Sequence, residues 1–512
     1  MIRTFNSCSS FCHLHSIYNT TEYSFLIPTP PPQNATSTMA PTDSSPHIIF
    51  LPSPGMGHLI PLINFATHLL HHYPRLSLTF VVPSSAPPTP PQLAALAALP
   101  SSVTSLFLDP VEDLPLNLAI ESIISYTLLA SLPGLRDVIK QRIDGVETVT
   151  ALVVDLFGTD AMDVAAEFGL KSYIFHPSTT MLLALFKRLP EMDETVKCEY
   201  REMSEPVRLK GCVPVHGRDL LDPVQDRENE AYKWVLHHAK RYELAEGILV
   251  NTFEELEGGA LRGLREGGDW PPVYPVGPLV QGVRRKTEVE ERGKECVTWL
   301  DGQASGSVLF VSFGSGGTLS RDQINELALG LETSEQRFLW VARSPNDGTT
   351  SATFFNAGSQ VDPLGFLPKG FVERTRGRGL VVSSWAPQIH VLAHESTGGF
   401  LTHCGWNSTL ESVVYGVPLI TWPLYAEQKM NAVMLVDGLK VALRPKAGEG
   451  GLIRREEIAR VTRALMEGEE GKDLRARMRD FKYAAAKALG DDGSSTKALD
   501  EVVRKWTPDH AQ

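Results

Sequence analysis

The chain has 512 residues, 42% of them hydrophobic, and its 48 basic and 60 acidic residues give a formal net charge of −12. An acidic chain without a dense Lys/Arg run is not expected to bind nucleic acid or an anionic membrane surface. No stretch approaches the roughly 18 consecutive apolar residues of a membrane-spanning helix. The length exceeds one ordinary hydrophobic core and predicts two domains of similar size.

The cysteines show neither the spacing of zinc ligands nor the density of a disulfide framework. They are Cys8, Cys12, Cys198, Cys212, Cys296 and Cys404. This usage favours a reducing compartment, and no metal site is expected from it.

The start of the chain differs in composition from the rest. Residues 1–38 are rich in Ser, Thr, Asn and Pro, and their only Lys, Arg, Asp or Glu residues are Arg3 and Glu22. They also lack a clear apolar segment followed by a cleavage site. We expect residues 1–45 to be a disordered or mis-annotated leader, with a transit peptide as the alternative.

The first half of the chain alternates short apolar runs with stretches of helical periodicity. Residues 47–51 are predicted to form a strand that ends in a Gly-containing turn, and the apolar residues after it recur at helical spacing. Further strands are predicted at residues 78–82, 103–108, 152–155, 172–175 and 248–251, and helices at 118–143 and 157–168. This alternation favours a mostly parallel, doubly wound sheet. The less regular residues 177–244 are of the kind that often shapes a small-molecule pocket.

A linker is predicted where Pro-rich residues 273–278 precede the charged residues 284–294. The same alternation then returns, with a Gly/Ser/Asn-rich loop at 344–362. Strands are predicted at residues 307–312, 338–341, 380–382, 398–402 and 419–420, and helices at 323–331, 409–415, 454–467, 471–489 and 496–506.

We therefore expect two Rossmann-like α/β domains that face each other across a cleft. The expected divisions are an N-terminal domain at 46–275, a linker at 276–295, a C-terminal domain at 296–490, and a final helix and tail at 491–512. The final helix and tail are expected to pack back on the N-terminal domain.

His58 and Asp155 each come at the carboxyl end of a predicted strand of the first domain. Ligands of open parallel sheets bind at this edge, so the two side chains can converge on one crevice. A neutral imidazole is a suitable base near pH 7, and a carboxylate on its other nitrogen would fix the tautomer. The alternative is a loop histidine and an aspartate that caps the helix predicted after Phe157.

Residues 385–428 combine an aromatic turn, a short helix, an apolar strand and a polar, Gly-containing turn that leads into another helix. A helix N-terminus presents free backbone N–H groups and suits a phosphate. His403, Asn407 and Ser408 would add side-chain donors. The alternative is that Ser408 and Glu411 form a capping box and that His403 is an ordinary loop histidine.

This stretch resembles the donor-binding signature of plant family 1 UDP-glycosyltransferases over its whole length. The runs PSPGMGHLIPL, ALVVDLFGTDAMDVA, GCVPVHGRDLLDPVQDR and AYKWVLHHAKRYELAEGILVNTFEELE are most similar to the hydroquinone glucosyltransferases of that family. The resemblance implies a GT-B fold and inverting, metal-independent transfer of glucose from UDP-glucose to a small phenolic acceptor. We also expect a cytoplasmic monomer that needs no cofactor.

The family pattern assigns roles to individual residues on the acceptor side. His58 matches the catalytic base, and Asp155 matches the carboxylate that activates it. Glu121 and Phe157 match the acceptor-binding half, although a solvated helix face is the alternative for Glu121.

The donor-side roles follow residue by residue from the same pattern. Trp385 would stack on uracil, and Ala386 and Gln388 would fix the base and ribose side. Glu411 would accept hydrogen bonds from the ribose hydroxyls. The resemblance gives the phosphates to Ser315, His403, Asn407 and Ser408. It gives the sugar side of the donor site to Trp406, Glu427 and Gln428, and it counts Tyr425 among the donor-binding residues.

Two other functions stay open at this point. A binding protein of the same fold that has lost catalysis would lack the base or a donor residue, and neither is missing. An NAD-dependent dehydrogenase would need a complete phosphate fingerprint, but Ile60 stands where the third Gly of that motif belongs.

Overall fold

The computed structural model describes residues 45–115, 118–145, 148–266, 268, 270–282, 291–347, 364–383 and 385–507. Apart from residue 45, the predicted leader at 1–45 lies outside the described residues. So do parts of the predicted linker at 276–295 and of the predicted loop at 344–362.

The first half of the chain forms a seven-stranded sheet in which every neighbouring pair of strands is parallel. The strand order is β3-β2-β1-β4-β5-β6-β7. The strands are His47–Leu51 (β1), Ser77–Val82 (β2), Val103–Phe107 (β3), Val149–Asp155 (β4), Lys171–His176 (β5), Gly247–Val250 (β6) and Val273–Pro275 (β7). The order reverses between β1 and β4, which places a ligand crevice beyond their carboxyl ends.

The described residues of the first half of the chain form seven α-helices. They are Met56–His72 (α1), Pro90–Ala97 (α2), Ile120–Asp144 (α3), Ala161–Glu167 (α4), Thr180–Thr195 (α5), Glu230–Arg241 (α6) and Glu254–Arg265 (α7).

Five elements of the first domain were not predicted: helices α2, α6 and α7, the strand β7 and helix α5. Residues 273–275, which fall at the end of the predicted first domain but in a Pro-rich run typical of a linker, form β7 at the edge of the sheet beside β6. Helix α5 lies in a region that was predicted to be irregular. Its first seven residues are all buried, so it lacks the one-sided apolar spacing that marks an amphipathic helix.

The second half of the chain forms a six-stranded parallel sheet with the order β10-β9-β8-β11-β12-β13. Its strands are Val308–Ser312 (β8), Arg337–Ala342 (β9), Gly379–Ser383 (β10), Thr397–Thr402 (β11), Leu419–Thr421 (β12) and Ala442–Leu443 (β13). The remaining helices are Glu291–Asp301 (α8), Arg321–Ser334 (α9), Phe371–Arg374 (α10), Gln388–Ala393 (α11), Trp406–Tyr415 (α12), Gln428–Val433 (α13), Arg455–Met466 (α14), Glu469–Ala488 (α15) and Ser494–Trp506 (α16). The order reverses between β8 and β11, so this sheet has its own crevice.

Helix α16 returns to the first sheet. The ring of Trp506 lies 5.4 Å from that of Tyr173 on β5, in an edge-to-face arrangement. The Ser495 hydroxyl donates to the carbonyl of Gly277, 2.5 Å away. The apolar side of α16 therefore belongs to the core of the first domain.

The carboxyl ends of the two sheets face each other across a polar seam. Trp406 Nε1, after β11, donates to the carbonyl of Asn251, after β6, at 2.8 Å. Ser178 Oγ, after β5, donates to Glu427 Oε1, after β12, at 3.2 Å. The cleft between the domains is therefore bounded by residues from both crevices. No helix of the described residues has the length and apolar character needed to cross a membrane.

Candidate active site

The turn after β1 brings His58 onto the carboxylate that ends β4. Gly55 makes this turn with a φ of 113°, which favours glycine, and α1 begins at the next residue. His58 Nδ1 lies 3.1 Å from each oxygen of Asp155. Asp155 is fully buried, whereas the His58 side chain is 21% exposed. Asp155 does not cap the following helix, because α4 begins only at Ala161.

Ser53 is a third member of this cluster, and the sequence interpretation did not identify it. Its hydroxyl donates to Asp155 Oδ1 at 2.8 Å, and both side chains are buried. Ser53 follows β1 by two residues, so the strand-end rule that selected His58 could have selected it too. Asp155 thus accepts from two side chains, of which only His58 reaches the cleft.

The electrostatic environment favours the protonated form of His58. Burial lowers the pKa of His58, but the charge and hydrogen bond of Asp155 raise it, with smaller contributions from Glu427 and Glu121. The net pKa lies above the usual value of 6.5. When the ring is neutral and Nδ1 donates to Asp155, Nε2 carries the lone pair and can accept a proton.

The predicted acceptor-side residues surround His58. The ring of Phe157 lies 5.7 Å from that of His58 and 5.6 Å from that of His238, edge to face in both cases. Glu121 lies in the first turn of α3. Burial raises the pKa of Glu121, as does the charge of Glu427, while the charge of His58 lowers it. These side chains give one apolar and one acidic wall beside the imidazole.

On the donor side, the capping-box alternative is wrong. Helix α12 begins at Trp406 after Gly405, so Ser408 lies inside the helix. Gln388 Nε2 donates to Ser408 Oγ at 2.9 Å and to Glu411 Oε2 at 2.6 Å. Burial raises the pKa of Glu411 to about 7, although the Gln388 hydrogen bond opposes the shift. The structure thus brings three predicted donor residues into one hydrogen-bonded group.

His403 lies at the carboxyl end of β11 and is only 8% exposed. The turn after β8 packs on its ring so closely that a Cβ on Gly314 would lie 2.6 Å from Nε2. Burial lowers the pKa of His403 to about 4, and the charge of Arg343 adds to this effect. His403 is therefore neutral at pH 7. Ser315, in the turn after β8, is exposed, and Asn407, in the first turn of α12, is half-buried.

The aromatic turn after β10 holds Trp385, which is half-buried, and Ala386, which is buried. Trp406 was expected to pack against the sugar. That packing stays a prediction. In the structure Trp406 is 3% exposed, and its indole N–H donates to the carbonyl of Asn251, so it joins the two domains.

The end of the signature also lies at the domain seam. Glu427 Oε1 accepts from Ser178 Oγ and from Asn431 Nδ2, each at 3.2 Å. Gln428 Oε1 accepts from two backbone N–H groups of its own loop, those of Leu424 and Tyr425, at 2.9 and 3.1 Å. The side chain of Tyr425 is half-buried. The Gln428 side chain, which is 3% exposed, is therefore held by its own loop.

Arg343 is the second residue near the site that the sequence interpretation did not identify. It directly follows β9, and its Nη1 donates to the carbonyl of Ser315. Because this contact links a charged side chain to a predicted phosphate-binding turn, Arg343 belongs to the donor side of the cleft.

Among the described residues, one group of possible metal ligands lies outside these contacts. It comprises Asp160, His237 and His238. Both ring nitrogens of His238 are engaged by hydroxyls, those of Thr159 at 2.7 Å and Ser125 at 3.0 Å. Asp160 accepts from His237 Nε2 at 2.8 Å, so this group is a self-contained hydrogen-bond network.

Comparison with known proteins identifies the class of protein to which this geometry belongs. Residues 271–446 match the family described as UDP-glucoronosyl and UDP-glucosyl transferase. UDP-glycosyltransferase 72B1 of Arabidopsis thaliana is 59% identical over 466 residues, which cover 90% of this chain and 96% of that protein. The chain belongs to the UDP-glycosyltransferase family. The hydroquinone glucosyltransferase of Rauvolfia serpentina is 58% identical over 467 residues, or 91% of this chain and 98% of that enzyme.

Solved structures agree with this assignment to the UDP-glycosyltransferases. A UDP-glucosyltransferase from Polygonum tinctorium capable of glucosylating indoxyl, in complex with 3,4-dichloroaniline, superposes with a TM-score of 0.84 at 57% identity. The match covers 90% of this chain and 98% of that one. UGT2 of Phytolacca americana, complexed with UDP-2-fluoro-glucose and pterostilbene, gives a TM-score of 0.82 at 51% identity, covering 91% and 100% of the two chains. The expected GT-B fold and glycosyltransferase activity are confirmed.

Proposed function

We propose that this glycosyltransferase inverts the anomeric centre of UDP-glucose and transfers glucose to the hydroxyl of a small phenol. His58 is the general base, and Asp155 orients it and stabilises its charge. The observation that carries the proposal is the contact of His58 Nδ1 with the buried Asp155 carboxylate at the face of the cleft opposite the donor signature.

The reaction needs a deprotonated acceptor and a stabilised leaving group. His58 Nε2 takes the phenolic proton as the oxygen attacks the anomeric carbon from the side opposite UDP, so an α-linked donor gives a β-glucoside. Asp155 lowers the free energy of the imidazolium that forms. The bond to UDP breaks, and negative charge develops on its β-phosphate. The N-terminus of α12 offers backbone N–H groups to that charge.

The donor assignment rests on the group formed by Gln388, Ser408 and Glu411, together with the turns at Ser315 and His403. A hydrogen-bonded amide and carboxylate pair suits ribose hydroxyls. Glu427 and Gln428 would select glucose through vicinal hydroxyls. The donor side thus supplies its contacts from side chains and backbone, and we expect turnover to need neither a metal ion nor a cofactor.

The acceptor class is inferred from the wall beside His58 and from the relatives. Phe157 offers an aromatic edge to a planar ring, and aromatic surfaces of this kind favour flat apolar ligands. The Rauvolfia serpentina relative is named for hydroquinone, and the Phytolacca americana structure holds pterostilbene, a phenol. We propose hydroquinone and similar neutral phenols as acceptors.

The test is turnover of UDP-glucose with hydroquinone, with the anomeric configuration of the product read by NMR. We expect a β-glucoside, formed equally well in the presence of EDTA. His58→Ala should lose more than about tenfold in kcat, which corresponds to about 1.4 kcal/mol of barrier. Its affinity for UDP should stay at the wild-type value.

Asp155→Asn should lose less activity than His58→Ala, because the imidazole remains. An α-linked product, or a His58→Ala enzyme that keeps more than about a tenth of kcat, would remove His58 from the role of base. Tight binding of UDP without any turnover would instead indicate a binding protein.

A further inference from the structure

The charge of the donor diphosphate must be met by the protein if no metal ion takes part. His403 is placed at this site by the family pattern, but it is neutral at pH 7, because burial lowers its pKa to about 4. A neutral imidazole offers a hydrogen bond and no charge. The N-terminus of α12 contributes a dipole equivalent to only about half a positive charge. Without a ligand, these two groups together therefore supply less than one full positive charge.

The strand order of the second sheet places a cationic side chain, that of Arg343, beside the predicted phosphate-binding residues. Strand β9 is the immediate neighbour of β8, which in turn pairs with β11, and all three run parallel. Their carboxyl ends lie side by side and lead into Arg343, the turn at Ser315, and His403. This places the guanidinium on the same edge of the sheet as the predicted phosphate-binding residues.

Direct contacts then fix the position of Arg343. Its Nη1 donates to the backbone carbonyl of Ser315. The preceding residue, Gly314, has a φ of 73° and lies against the His403 ring, where an added Cβ would come within 2.6 Å. The charge of Arg343 acts on His403 and on Tyr425. The guanidinium thus contacts one residue that the family pattern gives to the phosphates, Ser315, and its charge acts on a second, His403.

We propose that Arg343 is the cation of the donor site and that its guanidinium contacts the diphosphate of the bound UDP-sugar in place of a divalent ion. The inference rests on the proposed function, because it takes the Ser315 and His403 turns as the phosphate site. A guanidinium is a planar, permanently charged donor whose geometry matches phosphate oxygens. As the bond to the sugar breaks, the new charge on the β-phosphate forms next to a group that is already positive.

The alternative is that Arg343 only clamps the Ser315 turn. The two roles differ in how they depend on ligand charge. A clamp acts on every ligand that needs the turn, including uridine. A phosphate cation acts on UDP, more weakly on UMP, and not on uridine. The affinities for uridine, UMP and UDP therefore distinguish a direct contact with the phosphates from a structural role in the Ser315 turn.

The experiment is calorimetric titration of the full chain with uridine, UMP and UDP. It uses the wild type, Arg343→Gln, Arg343→Lys and the control Arg337→Gln. Arg337 lies at the other end of β9 and is exposed, so its loss removes the same charge from the same strand away from the site. Melting temperatures of all four proteins show that they are folded.

We expect Arg343→Gln to bind UDP about tenfold or more weakly and uridine unchanged, since charge-assisted hydrogen bonds are the strong ones. Arg343→Lys keeps the positive charge and should therefore retain part of the higher affinity for UDP than for uridine. Arg337→Gln should match the wild type.

Equal losses for uridine and UDP, or an unchanged UDP affinity, would overturn the assignment. So would a folded Arg343→Lys protein that binds UDP no better than the glutamine variant. A wild-type protein that binds UDP no more tightly than uridine would reject the proposed donor site itself, and the inference with it.

Discussion

Replacing Ser53 with alanine is expected to change the pH dependence of catalysis. The Ser53 hydroxyl donates to Asp155 Oδ1 at 2.8 Å, and the same oxygen lies 3.1 Å from His58 Nδ1. Without Ser53, His58 is the remaining side-chain donor to Asp155 among the hydrogen bonds described above. The carboxylate then becomes a stronger acceptor and favours the imidazolium, so the pKa of His58, which Asp155 already raises, rises further.

The size of the shift follows from the lost hydrogen bond. A hydrogen bond to a charged group contributes about 1.5–3 kcal/mol. If a third to a half of this is transferred to the bond with His58, the pKa of His58 rises by about 0.5–1 unit, since one unit is about 1.4 kcal/mol. His58 must be neutral to accept a proton. The acidic limb of kcat/KM should therefore move to higher pH by the same amount, while activity at high pH recovers.

The assay is kcat/KM for hydroquinone between pH 5 and pH 9 at saturating UDP-glucose. Ser131→Ala is the matched control, because Ser131 is also buried but donates within α3 to the carbonyl of Thr127, at 2.7 Å. Combining Ser53→Ala with Asp155→Asn should give no further shift beyond Asp155→Asn alone. Coincident acidic limbs for Ser53→Ala and wild type would refute the reasoning, as would full additivity with Asp155→Asn.

Three further substitutions test the donor side and the seam. The wild type should use UDP-glucose with a kcat/KM about tenfold or more above that for UDP-galactose, and Gln428→His should reduce this ratio. Equal kcat/KM values for the two donors in the wild type would show that Gln428 does not determine the donor sugar. Trp406→Phe leaves the buried carbonyl of Asn251 without its indole donor and should destabilise the fold by about 1–3 kcal/mol, measured as a lower urea midpoint; an unchanged midpoint would contradict this. Gly314→Ala forces a side chain onto the His403 ring at a φ of 73° and should weaken UDP binding in a titration, whereas wild-type affinity would show that the turn can move.

The strand-end rule explains why so much of the site could be predicted. In a parallel sheet the residue after an apolar run lies at the ligand edge, so His58 and Asp155 were selected as a pair and are in contact. The predicted alternation of strands and helices is likewise present in both sheets. Local patterns of this kind are visible in one sequence because each depends on a few neighbouring residues.

The features that were missed depend on contacts between distant parts of the chain. Helix α5 has no one-sided apolar pattern because it is buried nearly all round at its start. The burial of Trp406 depends on Asn251, which lies 155 positions earlier, and no local signal links the two. Ser53 and Arg343 follow strands, as the strand-end rule requires, but what each does depends on a partner beside the neighbouring strand.

The return of α16 to the first sheet has a consequence for biosynthesis. Trp506 packs on Tyr173, so the core of the first domain includes residues that are translated after the second domain. Domains generally fold in order as they leave the ribosome. Here the N-terminal domain can complete its core only after the C-terminal domain has been synthesised and the final helix has been released. The domain that is first in the chain is thus the last to be finished, and its unfilled surface beside Tyr173 is a place where a chaperone could bind the nascent chain.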